Sequence, residues 1–236
     1  MGTLDKSFDA DGKDLNATPN GSFYTFTSRL GLDVTGPDIG KARSSAKIET
    51  DFGGFSGSNT MLRIRQAYVN LDWGKSAVLV GITWHPLFGA VMPDVLNLST
   101  GAPFQPFNRS PQIRYQYKAN SRVQLTASVL WQLQYLSSGP KGMSEDYIKN
   151  SCIPEMFVGA DFTPADGWLM GLGAHMISLK PRTSTEWKEQ TFKVNERMTA
   201  FSYEAHLKYS GRNYTFAAKT LMASALDHTA LLGGYG

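Results

Sequence analysis

RVQLTASVLWQLQY, residues Arg122 to Tyr135, alternates without a break. Val123, Leu125, Ala127, Val129, Trp131, Leu133 and Tyr135 share one phase; Arg122, Gln124, Thr126, Ser128, Leu130, Gln132 and Gln134 share the other. A period of two is the period of a β-strand. Ordinary globular strands run about 5–6 residues. A strand tilted across a bilayer needs roughly 9–11, apolar toward lipid and polar toward the lumen. The stretch is therefore expected to be one membrane-crossing strand of an all-β, antiparallel transmembrane barrel.

Composition is compatible with that class. The 236 residues are 42% hydrophobic, 12% aromatic and 18% charged, with 23 glycines, and the mean hydropathy is −0.26. Such values suit a barrel because only alternate strand residues face lipid. No run of about 18 apolar residues predicts a spanning helix. The net charge of +3 gives no ground for nucleic-acid binding. Cys152 is the single cysteine and has no metal-ligand companions nearby in sequence. No secretory signal precedes the polar run up to Ser22, so an exported barrel must have lost one or the chain is an internal piece.

The same phase repeats along the chain, giving ten expected strands: 24–35, 44–52, 62–73, 77–84, 112–118, 122–135, 156–162, 168–177, 199–209 and 214–222. Arg63 and Arg65 break the pattern by sharing the outward phase of Ala67, Val69, Leu71 and Trp73. The first reading is that they snorkel to the far headgroup region; the second is a β-bulge that turns them inward. Connections alternate short and long, as in barrels with short periplasmic turns and long extracellular loops. Trp73, Tyr117, Phe162, Trp168, Tyr209 and Tyr214 lie beside the short turns in the outward phase. They are the expected aromatic girdle.

This order puts residues 1–22 in an extracellular loop of a single domain and implies further strands before Met1 and after Gly236, unless the chain closes by itself with both ends outside. A soluble sandwich would bury the apolar phase instead, and it has no use for a girdle. Expected lumen-facing residues are Arg29, Asp33, Lys47, Glu49, Asp51, Arg114, Lys118, Gln124, Gln132, Glu204 and His206, a mixed-charge wall that keeps a pore wet.

The connection 85–111 is apolar and turn-rich. Folded inward it would narrow the pore, with Phe88, Met92, Asp94, Phe104, Phe107 and Arg109 at the constriction. A subunit-contact loop or a lid on the rim are the competing readings. His85, His175, His206 and His228 are scattered without metal-ligand spacing, so no metal or cofactor is expected. Gly171 and Gly173 are read as making room for an inserted loop or a bend. Gly54-Phe-Ser-Gly57 lacks the context of a catalytic elbow, and no enzyme is expected.

LRIRQAYVNLDWG (62–74), VGITWHPLF (80–88) and TGAPFQPFNRSPQIR (100–114), together with DADGKDLNATPN (9–20) and SRLGLDVTGP (28–37), resemble the porin-like outer-membrane proteins of Bacteroides and its relatives. The resemblance is specific around 84–114 and generic elsewhere. It implies a longer, trimeric, water-filled channel in the bacterial outer membrane, in contact with lipid and lipopolysaccharide, through which small hydrophilic solutes diffuse. A structural or adhesive surface protein, binding a partner through loops 136–153 and 178–197, is the alternative.

Overall fold

A computed structural model describes residues 5–18, 28–53, 61–92 and 105–231. Ten strands form one sheet: β1 (Arg29–Thr35), β2 (Arg43–Asp51), β3 (Arg63–Asp72), β4 (Ser76–Trp84), β5 (Arg109–Lys118), β6 (Val123–Leu130), β9 (Glu155–Phe162), β10 (Trp168–Leu179), β13 (Met198–Ser210) and β14 (Thr215–Met222). Each pairs antiparallel with the next in that order, and β1 and β14 do not pair with each other among the described residues. The long connections carry structure of their own. Between β6 and β9 lie a minimal hairpin, β7 (Ser138–Gly139) with β8 (Gly142–Met143), and helix α1 (Asp146–Ser151). Between β10 and β13 lies a hairpin of β11 (Ser184–Trp187) and β12 (Gln190–Lys193).

The sheet is polar inside and apolar outside. Leu172 is 67% exposed, Val158 58% and Leu30 61%, while their neighbours in the other phase include Ser202, Glu204, Gln112 and Ser128, all buried. A water-soluble sandwich would show the reverse, because burial of the apolar phase is what drives its folding. A solvent that is itself apolar explains the arrangement, and the sheet is the wall of a transmembrane β-barrel. Strand length agrees: β10 has 12 residues and β13 has 13.

The stretch 122–135 is shorter as a strand than its alternation predicts. Trp131 still donates its N–H to the Pro111 carbonyl, but β6 ends at Leu130. The chain leaves the sheet because Gln132, buried, donates to Ser137 Oγ and Glu155 Oε1 at 2.8 Å each and accepts the Ser137 N–H at 2.9 Å. Those bonds close a turn inside the wall. Conversely β5 begins at Arg109, three residues before the expected start at Gln112.

Arg63 and Arg65 do not snorkel. The β2–β3 register jumps between Glu49↔Gln66 and Thr50↔Ile64, which makes Arg65 the extra residue of a bulge. Both guanidinium groups turn inward. Arg63 grips both oxygens of Asp51 at 2.9 and 2.7 Å, and Arg65 bridges Glu49 at 2.6 Å and Asp51 at 2.8 Å. Inward pairing with two carboxylates satisfies the charges, which the lipid side could not.

Short turns close the opposite end. Gly74, at φ +81°, makes the β3–β4 turn, and its N–H is held by Asp72 Oδ1 at 2.6 Å. Asn120 Oδ1 accepts the N–H groups of Arg122 and Val123 at 2.8 and 3.0 Å in the β5–β6 turn.

Candidate functional site

The interior on the long-loop side is filled by three segments. The first is a 3-10 turn, Pro86–Phe88, whose N-cap His85 accepts the Leu87 N–H at its Nδ1. The second is α1, and the third is a 3-10 turn at Asp227–Thr229. Tyr147 and Ile148 of α1 pack on Ile177, Leu179 and Ala200. Leu87 packs with Leu130, Phe157 and Leu226. The apolar residues that the polar wall leaves unpartnered at this end are thus covered by the loops themselves. The connections 136–153 and 223–231 supply buried core.

At the centre is Glu155, the first residue of β9, 1% exposed. Its Oε2 faces three imidazoles: His85 Nε2 at 3.3 Å, His175 Nε2 at 3.2 Å and His228 Nε2 at 3.1 Å. Gln132 Nε2 donates to Oε1. All three histidines are buried. Because His85 Nδ1 accepts a backbone N–H, its proton sits on Nε2 and points at the carboxylate. Burial pushes the His85 imidazole down to about 4, against the pull of Glu155. For His228 burial also pulls down, but the Glu155 carboxylate outweighs it and the net shift is upward. A buried carboxylate is tolerable here because four donors surround it.

A second polar cluster lies deeper in the wall. His206 Nε2 stands 3.0 Å from Asp161 Oδ1 and its Nδ1 3.1 Å from Glu204 Oε2. Gly171 makes room for His206 and Asp161, and Gly173 for Phe157 and Glu204, rather than for a loop or a bend. A Cβ at Gly171 would lie 2.3 Å from the His206 ring, and one at Gly173 would lie 2.7 Å from Phe157.

Residues 85–92 and 105–108 fold inward. Leu87, Val91, Gln105 and Asn108 are buried, Phe107 N donates to the Thr229 carbonyl, and Asn108 Nδ2 donates to the His228 carbonyl at 3.1 Å. Phe88 stacks on Trp84 with ring centroids 4.2 Å apart, and Phe107 tilts against both rings. Met92 is half-buried. Asp94 and Phe104 lie outside the described residues. Arg109 belongs to β5 and does not present its charge to an open passage. It is 3% exposed, lies over the Trp84 ring at 5.0 Å and donates to Tyr135 Oη at 2.7 Å.

No protein-family model matches the chain, and no curated protein matches it. Among solved structures it is similar to the outer-membrane protein OmpT of Vibrio cholerae in its trimer form, at 15% identity over 84% of this chain and 60% of that one, with a TM-score of 0.49. It is likewise similar to OmpT lacking loop L8, at 15% identity over 85% of this chain and 64% of that one, TM-score 0.49. A mutant of the Rh. blastica porin follows at 10% identity, 84% and 85% coverage, TM-score 0.30. The chain spans less than two thirds of the length of these OmpT chains. Nothing about its activity follows from likenesses this distant, and the resemblance of 62–74, 80–88 and 100–114 to the Bacteroides porin-like proteins rests on those residues alone.

The other residues singled out in the sequence divide between wall and rim. Lys47 pairs with Asp33 at 3.0 Å across β1 and β2, and Arg29 sits opposite Asp51 in the register. Arg114 donates to the Trp84 carbonyl at 2.6 Å and to Gln112 Oε1, so it ties strands together. Lys118 is exposed at the short-turn end, where it reaches the Gly74 carbonyl at 3.2 Å, and Gln124, half-buried, is its register partner. Trp168, Tyr209 and Tyr214 lie in a row, their rings tilted against one another at centroid spacings of 4.8 and 5.7 Å, beside the same short turns. Trp73 and Phe162 are exposed there, and Lys75 lies over Tyr117. Glu155 escaped the sequence reading. Its partners lie 70, 20 and 73 residues away, and no local spacing connects them.

Proposed function

We propose that the chain forms the wall and the constricting turn of an outer-membrane porin that passes small hydrophilic solutes by diffusion. The observation that supports this is the inward fold of 85–92 and 105–108 against a polar inner face. A turn held inside the wall narrows the passage, and the mixed charges of β1 to β5 keep the remainder wet. The row of aromatics at the short-turn end is the interfacial girdle, and the exposed apolar phase contacts lipid and lipopolysaccharide in the bacterial outer membrane. In this reading the protein assembles as the trimer that the family resemblance implies, and it performs no covalent chemistry.

The test is conductance of the full-length protein in a planar bilayer, with release of small sugars from liposomes as the second readout. Steady, voltage-independent conductance with sugar release supports the porin. Folded protein that inserts without conducting would sink it. That outcome would favour a structural or adhesive surface protein, for which one observation speaks: the interior at the long-loop end is packed with side chains, while Trp187 and Phe192 of the β11–β12 hairpin are exposed.

A further inference from the structure

Three imidazoles and one carboxylate converge from four separate segments: His85 after β4, Glu155 at the start of β9, His175 within β10 and His228 in the last turn. We propose that this cluster is a structural binding site for a divalent borderline transition-metal ion of the zinc class, which staples the two inward-folded turns to the wall.

The distances carry the argument. Tetrahedral zinc with bonds of about 2.0–2.1 Å holds its ligand atoms roughly 3.3 Å apart. The three Nε2 to Oε2 separations are 3.3, 3.2 and 3.1 Å. The ligand atoms of His85, His175 and Glu155 all lie within 4.8 Å of one another. Three imidazoles with a carboxylate suit zinc, cobalt or nickel and not magnesium or calcium, which take oxygen cages. His85, His175 and Glu155 form the preassembled three, and His228, outside that group but 3.1 Å from the same Glu155 oxygen, fills the fourth position on binding, so the role is structural.

Proton positions fit with one exchange. A histidine that ligates through Nε2 carries its proton on Nδ1. The Nδ1 atoms of His175 and His228 are buried without a partner, so their tautomers are free to change. His85 gives up the 3.2 Å bond from the Leu87 N–H. Each Nε2 proton moves to the Nδ1 of its own ring, so the neutral imidazoles release no net proton, and Asp227, next to His228 in the last turn, adds negative charge near the ion.

The experiment uses the protein without a polyhistidine tag, folded in detergent, stripped with chelator and titrated with Zn2+ and separately with Co2+. Expected are about one bound ion per chain and the intense visible bands of tetrahedral Co2+. Glu155→Gln and His228→Ala should each weaken binding by more than about 100-fold, since loss of an outer partner alone costs roughly 10–100-fold. His206→Ala, outside the cluster, should bind as the parent does. A folded parent protein that takes up neither ion overturns the proposal whatever the variants do, as does undiminished binding by folded Glu155→Gln. A metal-free result would leave Glu155 as a carboxylate held by three imidazole donors and nothing more. Metal content is read independently of conductance, so the porin reading can fail while this site stands.

Discussion

Lys219 Nζ, on the last strand, donates to the carbonyl oxygen of Phe88 at 3.0 Å, on the turn that follows the fourth strand. It also reaches the Leu87 carbonyl. The two elements are six places apart in the sheet order, so the bond spans the interior and fixes the turn within it.

Lys219→Met should therefore loosen the turn. Two carbonyl oxygens lose a charged donor, a loss of about 1.5–3 kcal/mol. Urea unfolding of the detergent-folded protein would show the lower midpoint, and limited proteolysis would show new cleavage within 85–108. Unchanged protection there would mean that the Leu87 contacts alone hold the turn.

In the metal-free protein, Glu155→Ala leaves three buried imidazoles facing a void and removes one of the two acceptors of Gln132 Nε2. Each buried donor left without an acceptor costs about 1–3 kcal/mol. Glu155→Gln keeps the shape and should cost less. Equal midpoints for the parent and Glu155→Ala, measured with chelator present, would contradict the role assigned to this carboxylate.

Gly171→Ala drives a Cβ to 2.3 Å from the His206 ring and 2.6 Å from Asp161 Oδ1. Overpacking of this kind costs about 1–3 kcal/mol. Gly31→Ala meets only the Ile48 carbonyl at 3.7 Å and should change stability by less than about 0.5 kcal/mol. The difference between the two variants, not either value alone, tests whether the inner face is as crowded as described.

Val158→Arg separates a lipid-facing wall from a water-facing one. Val158 is an exposed residue in the middle of β9. In water an exposed substitution is nearly neutral. At the bilayer midplane an arginine on the lipid face costs about 2–4 kcal/mol. The variant should lose the compact, fast-migrating band of unboiled protein on a denaturing gel after folding into lipid, while remaining soluble in urea. Folding equal to the parent would place this face in water.

Period and phase were legible in the sequence because the pleat sends alternate side chains to opposite faces, and one face here must be apolar along its whole length. Leu30, Val158 and Leu172 stand on the side that this rule assigns. Alternation alone could not say where β6 stops, since Trp131, Leu133 and Tyr135 keep the pattern after the chain has turned away. That end is set by Gln132, which finds Ser137 and Glu155 only in the folded molecule. The inward turn of Arg63 and Arg65 likewise depends on Asp51 and Glu49 across the strand pair, although a bulge could be suspected from the broken phase. The meeting of His85, His175 and His228 on Glu155 was decided by tertiary structure alone. Strand patterning is a local property, whereas a buried carboxylate collects its donors from wherever the folded wall and its inward loops bring them.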